Sequence, residues 1–314
     1  MDIEISIVVP VYMEQASIKA FLNRLEPVLE KINQAYEVIF VVDPGSDKTE
    51  EIILEEISRN NNIKMMVMSR RFGQPAATLA GIYGCSGQCC VVIDIDLQDP
   101  PELIIDLYEK LGEGYEVVYA TRRTRKGETR FKKLISAIGY RLIDRLSDVK
   151  IPPDTGDFRI MSRKVVRELV QLNDMSGYLR GLVAYVGFKQ TRLEYDRDER
   201  YAGRGKYNSF VGSVRIGLNG LFGFTSKPLK FCLVFGCVMA GISFVLGGWY
   251  VLQKLLGWAL TPGLSTTVLM VTFFSGIQLL VLGLVGEYVG RIYDEVKGRP
   301  NFIVDKRINF KLND

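Results

Sequence analysis

The sequence predicts an α/β head with a doubly wound, mainly parallel sheet, followed by a C-terminal two-helix transmembrane hairpin. In the first 121 residues, five apolar runs rich in Val and Ile alternate with helical patterns. Runs of this kind are typical of parallel strands that are covered on both faces. Further along, residues 231–252 and 264–286 are almost wholly apolar, and each stretch exceeds the roughly 18 residues that mark a membrane span.

The elements of the head are predicted in alternating order. The predicted strands are Ile3–Tyr12, Tyr36–Asp43, Ile63–Ser69, Cys89–Leu97 and Tyr115–Thr121. The predicted helices between them are Ser17–Asn33, Thr49–Asn60, Gln74–Gly84 and Glu102–Leu111. In open sheets of this class, ligands bind at the carboxyl ends of the strands, so we expect the site there.

Charge placement predicts the domain boundaries and the topology. We expect a head at 1–206, an interfacial amphipathic segment at 207–228, spans at 229–252 and 264–288, and a tail at 289–314. Lys and Arg crowd both flanks of the spans, whereas the loop 253–263 holds only Lys254. By the positive-inside rule the head and both termini are cytoplasmic. The acidic start of the chain lacks a basic n-region, so we expect no signal peptide.

Composition excludes several classes of site. The chain has no histidine, which excludes Ser-His-Asp triads, histidine acid catalysis and histidine zinc sites. Its five cysteines are too few for a disulfide framework and fit a reducing compartment. A net charge of +4, spread along the chain, does not indicate a nucleic-acid partner.

Two carboxylates stand at the end of the fourth predicted strand. On an extended strand, alternation turns Asp94 and Asp96 to the same side. Adjacent carboxylates repel each other unless a cation or a proton lies between them, and oxygen ligands suit Mg²⁺ or Mn²⁺. The alternative is a solvated acidic strand end that caps the helix following Pro100.

Six segments together resemble the inverting family-two glycosyltransferases, in the order in which that family carries them. They are VVPVYMEQASI, VVDPGSDKT, SRRFGQPAATLAGI, DIDLQDPPE, GDFRIMSRK and RYAGRGKYNSF. The subgroup that the chain resembles is the polyprenyl-phosphate, or bactoprenol, glucosyltransferases, which are related to the dolichyl-phosphate mannosyltransferases. The resemblance implies a GT-A-like head and a multi-pass protein of a bacterial-type plasma membrane.

The resemblance also implies a reaction in which a nucleotide sugar, UDP-glucose in this subgroup, glycosylates a polyprenyl phosphate with inversion. By resemblance, the nucleotide-sugar positions are Pro10, Tyr12, Glu14, Asp43 and Asp94. A Mg²⁺ or Mn²⁺ ion would be held by Asp94, Asp96 and Gln98. Asp96 would act in catalysis by stabilising, through that ion, the charge that develops on the leaving diphosphate.

Two departures from the family pattern leave other readings open. Met13 stands where the family usually has Asn, and Pro44 stands where it usually has a second Asp. GDP-mannose and UDP-N-acetylglucosamine therefore remain possible donors, and a catalytically inactive nucleotide-binding membrane protein remains an alternative. A processive polysaccharide synthase is disfavoured, because the chain has only two spans and no Gln-x-x-Arg-Trp motif.

Asp157 matches the family's proposed catalytic carboxylate. The acceptor is a phosphate monoester whose second pKa is about 6, so its oxygen is already largely anionic at neutral pH. Three roles are open for Asp157: orientation of the acceptor or metal, abstraction of a proton, and a structural turn after Pro152-Pro153.

A lipid phosphate needs basic residues that face the bilayer. Residues 128–147 form a basic amphipathic pattern that would lie in the membrane interface, or alternatively pack on the head. By resemblance, the acceptor phosphate is contacted by Arg122, Lys132 and Ser136. A second basic cluster would close over the diphosphate or simply mark the cytoplasmic flank; it consists of Arg200, Arg204 and Lys206.

The expected partners are thus the nucleotide sugar, the polyprenyl phosphate and the lipid bilayer. Small residues four apart in the spans also permit close helix contact, which would allow a homo-oligomer. They are Gly236 with Ala240 and Gly286 with Gly290.

Overall fold

The fold is described from a computed structural model of the 314-residue chain. The structure describes residues 3–123, 155–172, 178–198, 201, 222–223, 225–256 and 263–310. The predicted amphipathic helix 128–147 lies outside the described residues, as do Lys132, Ser136, Arg200, Arg204, Lys206 and most of the predicted interfacial segment. The chain forms two compact units, of which the first is the head and the second contains the two long apolar helices.

The head is built on a mixed, mainly parallel sheet, which confirms the predicted fold class. Its strands are β1 (Ile5–Val11), β2 (Tyr36–Val42), β3 (Ile63–Met68), β4 (Cys89–Val92), β5 (Val117–Arg122), β6 (Thr155–Ser162), β7 (Gln190–Tyr195) and β8 (Val304–Ile308). Their order is β7-β5-β6-β4-β1-β2-β3-β8. The neighbours β4, β1, β2 and β3 are parallel, as are β5 and β7, whereas β6 and β8 run antiparallel to their partners.

Helices cover the sheet, and four of them confirm the predicted pattern. The head contains α1 (Ile18–Ile32), α2 (Thr49–Arg59), α3 (Gln74–Gly84), α4 (Leu103–Gly112), α5 (Arg163–Leu172) and α6 (Leu179–Val186). Every residue of β1, β3 and β4 is buried, as expected for strands with cover on both faces. Helix α3 approaches β1 closely at Gly81, where an added Cβ would lie 2.3 Å from Cγ1 of Val8.

The last strand joins the head after the hairpin, which the sequence analysis did not predict. Strand β8 pairs antiparallel with β3. Close by, the ring of Phe302 packs edge-on against Tyr83 with centroids 5.6 Å apart, and Lys64 Nζ lies 5.0 Å from the ring centroid of Phe310. The predicted tail 289–314 therefore contains a strand of the head's own sheet.

The second unit contains helices α7 (Lys227–Leu255) and α8 (Leu264–Lys297). Both are long and apolar enough to cross a membrane, over Lys227–Leu246 and Phe273–Lys297. Large apolar side chains such as Phe244 and Leu280 are exposed on them, which fits a lipid environment. An added Cβ at Gly236, Gly286 or Gly290 would meet no other group within 4 Å in the described part of the chain. The small-residue contact between copies stays a prediction.

A buried ion pair lies near the amino-terminal ends of β2 and β3. Lys64 Nζ lies 2.6 Å from Glu37 Oε2, and both side chains are almost fully buried. The other oxygen, Oε1, accepts hydrogen bonds from Ser6 Oγ at 2.5 Å and from Ser86 N at 2.7 Å. Burial raises the pKa of Glu37, but the hydrogen bonds from Lys64, Ser6 and Ser86 outweigh it and hold the pKa below its ordinary value.

We predict that Glu37→Gln lowers the stability of the head by about 3–5 kcal/mol, because it removes the carboxylate from an almost fully buried ion pair with Lys64. Since the folded pKa of Glu37 is lowered, its contribution is fully present above about pH 5 and is lost as the pH falls through the folded pKa. Thermal unfolding of the full chain in detergent measures both effects.

The matched control is Glu55→Gln, which breaks the exposed pair between Lys19 and Glu55 at 3.4 Å. Because both of these side chains are more than half exposed, the change should cost less than about 1 kcal/mol. Equal losses in the two variants at neutral pH would contradict the role given to the buried pair.

Candidate functional site

A cleft of about 330 Å³ opens at the carboxyl ends of β1 and β2 and after β4. This is the position expected for ligands in a doubly wound sheet, and the volume is in the range of small-molecule sites. The structure brings together all five residues predicted to contact the nucleotide sugar, along with the second carboxylate of the acidic pair. The residues lining the cleft are Pro10, Val11, Tyr12, Glu14, Asp43, Arg71, Gly73, Gln74, Ala77, Asp94, Ile95, Asp96 and Arg197.

Asp43 organises the wall of the cleft next to α3. It is 2% exposed, and its two carboxylate oxygens accept hydrogen bonds from the backbone N–H groups of Phe72 at 3.1 Å and Gly73 at 2.8 Å. Gly73 has φ 95°, a conformation that favours glycine. A carboxylate has about four lone-pair positions, so Asp43 keeps acceptor capacity for a ligand.

The same wall carries two residues that the sequence analysis did not single out. The guanidinium of Arg71 lies 4.0 Å from the ring centroid of Tyr12, and its Nη1 donates to the Tyr12 hydroxyl at 3.3 Å. Gln74 donates from Nε2 to Asp94 Oδ1 at 2.7 Å. Both residues belong to the segment SRRFGQPAATLAGI, so the signal was present in the sequence, but only the fold shows which of its side chains reach the cleft.

The departure at position 13 is accommodated locally. Met13 has φ 53°, in the left-handed region that Asn tolerates better than Met does. An added Cβ at Gly45 would lie 2.7 Å from Met13 Cγ, so glycine at position 45 makes room for the longer side chain.

The acidic pair lies in the cleft, but the predicted extended strand beneath it is wrong. Strand β4 ends at Val92, and the chain then turns, with Leu97 at φ 59°. The turn is favoured because Asp96 Oδ1 accepts the backbone N–H of Gln98 at 3.1 Å, as aspartates in turns commonly do. Asp94 and Asp96 both line the cleft, but a turn rather than strand alternation places them there.

Negative charge is concentrated around Asp94. Burial raises the pKa of its carboxyl to about 8, and the neighbouring carboxylates of Asp157, Asp99 and Asp96 add to the effect, while Arg197 opposes it. The donors are hard oxygens, which suit Mg²⁺ or Mn²⁺. Among the described residues no group of three acidic or cysteine ligands forms, so a cation here would also need oxygens from substrate or water.

Gln98, the third predicted metal ligand, makes hydrogen bonds through its backbone. Its N–H donates to Asp96, and its carbonyl accepts the N–H of Asp198 at 3.0 Å. Its side chain is half-buried, and it does not belong to the described residues that line the cleft.

Asp157 lies on β6 among guanidinium groups. Arg180 Nε donates to its Oδ1 at 2.9 Å, and Nη2 of the fully buried Arg159 lies 3.7 Å from the same oxygen. Although burial raises the pKa of Asp157, the charges of Arg180, Arg159 and Arg122 hold it below its ordinary value. This carboxylate is therefore ionised at neutral pH and is a weak base.

Arg122, a predicted contact of the acceptor phosphate, ends β5 close to the strand that carries Asp157. An added Cβ at Gly156 would lie 3.5 Å from Arg122 Nη2. The same Nη2 lies 3.9 Å from Asp99 Oδ1, a buried carboxylate that the sequence analysis did not single out.

Comparison with known proteins agrees with these observations. Residues 6–170 match the model of glycosyl transferase family 2, and residues 227–292 match the GtrB C-terminal hairpin. An uncharacterized glycosyltransferase of Bacillus subtilis, YkcC, is 46% identical over 97% of this chain and 94% of its own length. The prophage-derived bactoprenol glucosyl transferase of Shigella flexneri is 35% identical over 96% of this chain and 98% of its own length.

Among solved structures, the match to the glucosyl-3-phosphoglycerate synthase of Mycobacterium tuberculosis covers 70% of this chain and 79% of the synthase chain. Its TM-score of 0.48 and 20% identity are too low to transfer a ligand or an activity. The family match and the apolar hairpin rest on separate parts of the sequence, the head and the C-terminal helices. The chain is a membrane-associated glycosyltransferase that belongs to glycosyl transferase family 2.

Proposed function

We propose that this protein transfers glucose from UDP-glucose to a polyprenyl phosphate at the cytoplasmic face of the membrane, with inversion at the sugar carbon. The observation that carries the proposal is the cleft that combines the acidic pair Asp94 and Asp96 with Tyr12 and Asp43, in a chain that continues into an apolar hairpin. The bactoprenol glucosyl transferase of Shigella flexneri, similar over 96% of the chain, supports the same acceptor.

The reaction is a single displacement. An oxygen of the acceptor phosphate forms a bond to the anomeric carbon, the bond from that carbon to the diphosphate breaks, and the nucleoside diphosphate leaves with the electron pair. Mg²⁺ or Mn²⁺, when bound, neutralises the charge that develops on the leaving diphosphate. Asp94 and Asp96 would hold this ion, and the stack of Arg71 on Tyr12 would shape the wall of the nucleotide pocket.

We assign Asp157 to orientation of the acceptor rather than to abstraction of a proton. Its pKa is held low by Arg180 and Arg159, so it is a weak base at neutral pH. The acceptor phosphate has a second pKa of about 6 and needs no base. Arg122, close to the same strand, would attract the acceptor phosphate.

The proposed topology places the head and the C-terminal strand on the cytoplasmic side. Strand β8 follows the hairpin yet pairs with β3 of the head. Because the chain leaves the sheet after β7 and returns to it at β8, any membrane crossings between these strands must be even in number. This supports two crossings, one by each apolar helix. The positive flanks and the nearly uncharged loop 253–263 support the same orientation.

The first prediction from this proposal concerns the acidic pair. Asp96→Ala should lower turnover by about 10²- to 10³-fold, because the transition-state charge on the diphosphate loses its stabilisation. Transfer of labelled sugar to undecaprenyl phosphate is measured with Mn²⁺ or Mg²⁺ and a panel of UDP-glucose, GDP-mannose and UDP-N-acetylglucosamine.

The exposed Asp106→Ala serves as a charge-matched control and should transfer at the wild-type rate. Full transfer by the wild type in excess EDTA would contradict the metal assignment. No transfer from any donor of the panel would favour the inactive nucleotide-binding alternative.

A second prediction separates the acceptor side from the donor side. Arg122→Gln should raise KM for polyprenyl phosphate and leave UDP binding unchanged, whereas Asp157→Asn should lower kcat with little change in either KM. The rate of both the wild type and Asp157→Asn should fall below about pH 6, as the acceptor phosphate gains a proton. Transfer kinetics over pH and calorimetric binding of UDP give these values. If Asp157→Asn abolished the acid limb of the profile, Asp157 would be the titrating base.

A third prediction concerns topology. In a cysteine-free background of intact cells, an impermeant thiol reagent should label Pro262→Cys in the loop between the spans and should not label Ser46→Cys in the head. Ser46 is exposed in the fold, so only the membrane would protect it. The reverse labelling would place the head outside, away from cytoplasmic nucleotide sugars.

A further inference from the structure

Asp99 is a buried carboxylate that gathers three groups at one oxygen. Its side chain is 2% exposed. The hydroxyl of Tyr195 donates to Oδ1, and the same oxygen lies 3.4 Å from Arg197 Nε and 3.9 Å from Arg122 Nη2. Arg122 and Tyr195 are register partners at the ends of the parallel strands β5 and β7. Asp99 therefore links both strand ends to the turn that follows β4 and carries Asp94 and Asp96, called here the acidic turn.

The two arginines belong to different sides of the site. Arg197 lines the donor cleft with Asp94 and Asp96, whereas Arg122 lies close to the strand of Asp157. The Nε atoms of both arginines are buried and have no hydrogen-bond partner within the described part of the chain. Charge attraction by Asp99, rather than a hydrogen bond at Nε, thus acts on both guanidinium groups.

The backbone beside Arg197 is fixed to the acidic turn. The N–H of Asp198 donates to the carbonyl of Gln98 at 3.0 Å, and the N–H of Tyr201 donates to the carbonyl of Asp96 at 3.3 Å. With the backbone fixed, the direction of the Arg197 side chain depends on which carboxylate attracts it. The other carboxylates that line the cleft are Glu14, Asp43, Asp94 and Asp96, and the charge of Arg197 already lowers the pKa of Asp94.

We propose that Asp99 is a positioning residue, which holds Arg197 away from the acidic pair and holds Arg122 on the acceptor side. This inference rests on the proposed function, because it takes the acidic pair as the site of a divalent cation. Without the charge of Asp99, the guanidinium of Arg197 would pair with Asp94 and Asp96 and compete with the cation. Such competition is strong in a partly dehydrated cleft, where charges interact over a low effective dielectric constant.

The experiment is a double-mutant cycle on the full chain in detergent, with Asp99→Asn, Arg197→Gln and the combined variant. Binding of Mn²⁺ in the presence of UDP is followed by the electron paramagnetic resonance signal of free Mn²⁺. Asp99→Asn keeps the size of the side chain but removes its charge. It should raise the Kd for Mn²⁺ at least about fivefold, the lower end of usual coupling between sites. It should also raise KM for polyprenyl phosphate, because Arg122 is no longer held on the acceptor side.

The combined variant decides between positioning and mere structural support. In the Arg197→Gln background no guanidinium is left to compete, so adding Asp99→Asn should leave the Kd for Mn²⁺ almost unchanged. Equal effects of Asp99→Asn in both backgrounds would overturn the proposal, since independent losses are additive. If Asp99→Asn fails to fold, Asp99→Ser, which also removes the charge, carries the test, and it should raise the Kd for Mn²⁺ in the same direction; an unchanged value would overturn the proposal.

The matched control is Arg123→Gln. It breaks the exposed ion pair with Asp196 at 3.5 Å, one residue further along the same two strand ends. Neither the Kd for Mn²⁺ nor transfer should change. If the wild type binds Mn²⁺ and the cycle shows the expected coupling, but the wild type transfers no sugar, the proposed function alone would be contradicted. If the wild type transfers sugar but the cycle shows no coupling between Asp99 and Arg197, the role of Asp99 alone would be contradicted.

Discussion

The rest of this head depends on a balance of partly and fully buried charges at the carboxyl ends of its strands. Four aspartates meet four arginines there; they are Asp94, Asp96, Asp99 and Asp157 with Arg122, Arg159, Arg180 and Arg197. The charges are not evenly paired. Asp157 has close guanidinium partners and a lowered pKa, whereas desolvation and the neighbouring carboxylates raise the pKa of Asp94 to about 8. That local excess of negative charge is what a divalent cation would neutralise.

Strand order explains how residues far apart in the chain reach this edge. Strand β6, which carries Asp157, inserts antiparallel between β4 and β5. It therefore starts at the edge where β4 and β5 end, and its first residues lie beside the acidic turn and beside Arg122. The parallel neighbour β7 then ends next to β5, and the segment that follows it is bonded through its backbone to the turn. Donor and acceptor sides thus share one set of strand ends.

The opposite, amino-terminal ends of the strands are stabilised by a different kind of interaction. The pair of Glu37 and Lys64 is almost fully buried, hydrogen-bonded by Ser6 and Ser86, and covered by Phe310 after the last strand. The antiparallel pairing of β8 with β3 fastens the segment after the hairpin to this side of the sheet. Strand β7, which precedes the apolar helices in the chain, and strand β8, which follows them, therefore belong to one sheet. The candidate site and the buried ion pair lie at opposite ends of the strands of that sheet.

The sequence alone determined the alternating elements of the first 121 residues and the two apolar helices, because both follow from the spacing of apolar residues. It also identified six of the residues in the donor cleft, from polar side chains placed where strands end and from the resemblance to the family; they are Pro10, Tyr12, Glu14, Asp43, Asp94 and Asp96. Tertiary structure alone decided the insertion of β6, the pairing of β8 with β3 and the gathering of Arg122, Arg197 and Tyr195 around Asp99. The physical reason is that these features depend on which strands become neighbours. Pairing between segments as distant as residues 65 and 308 leaves no local periodicity in the sequence.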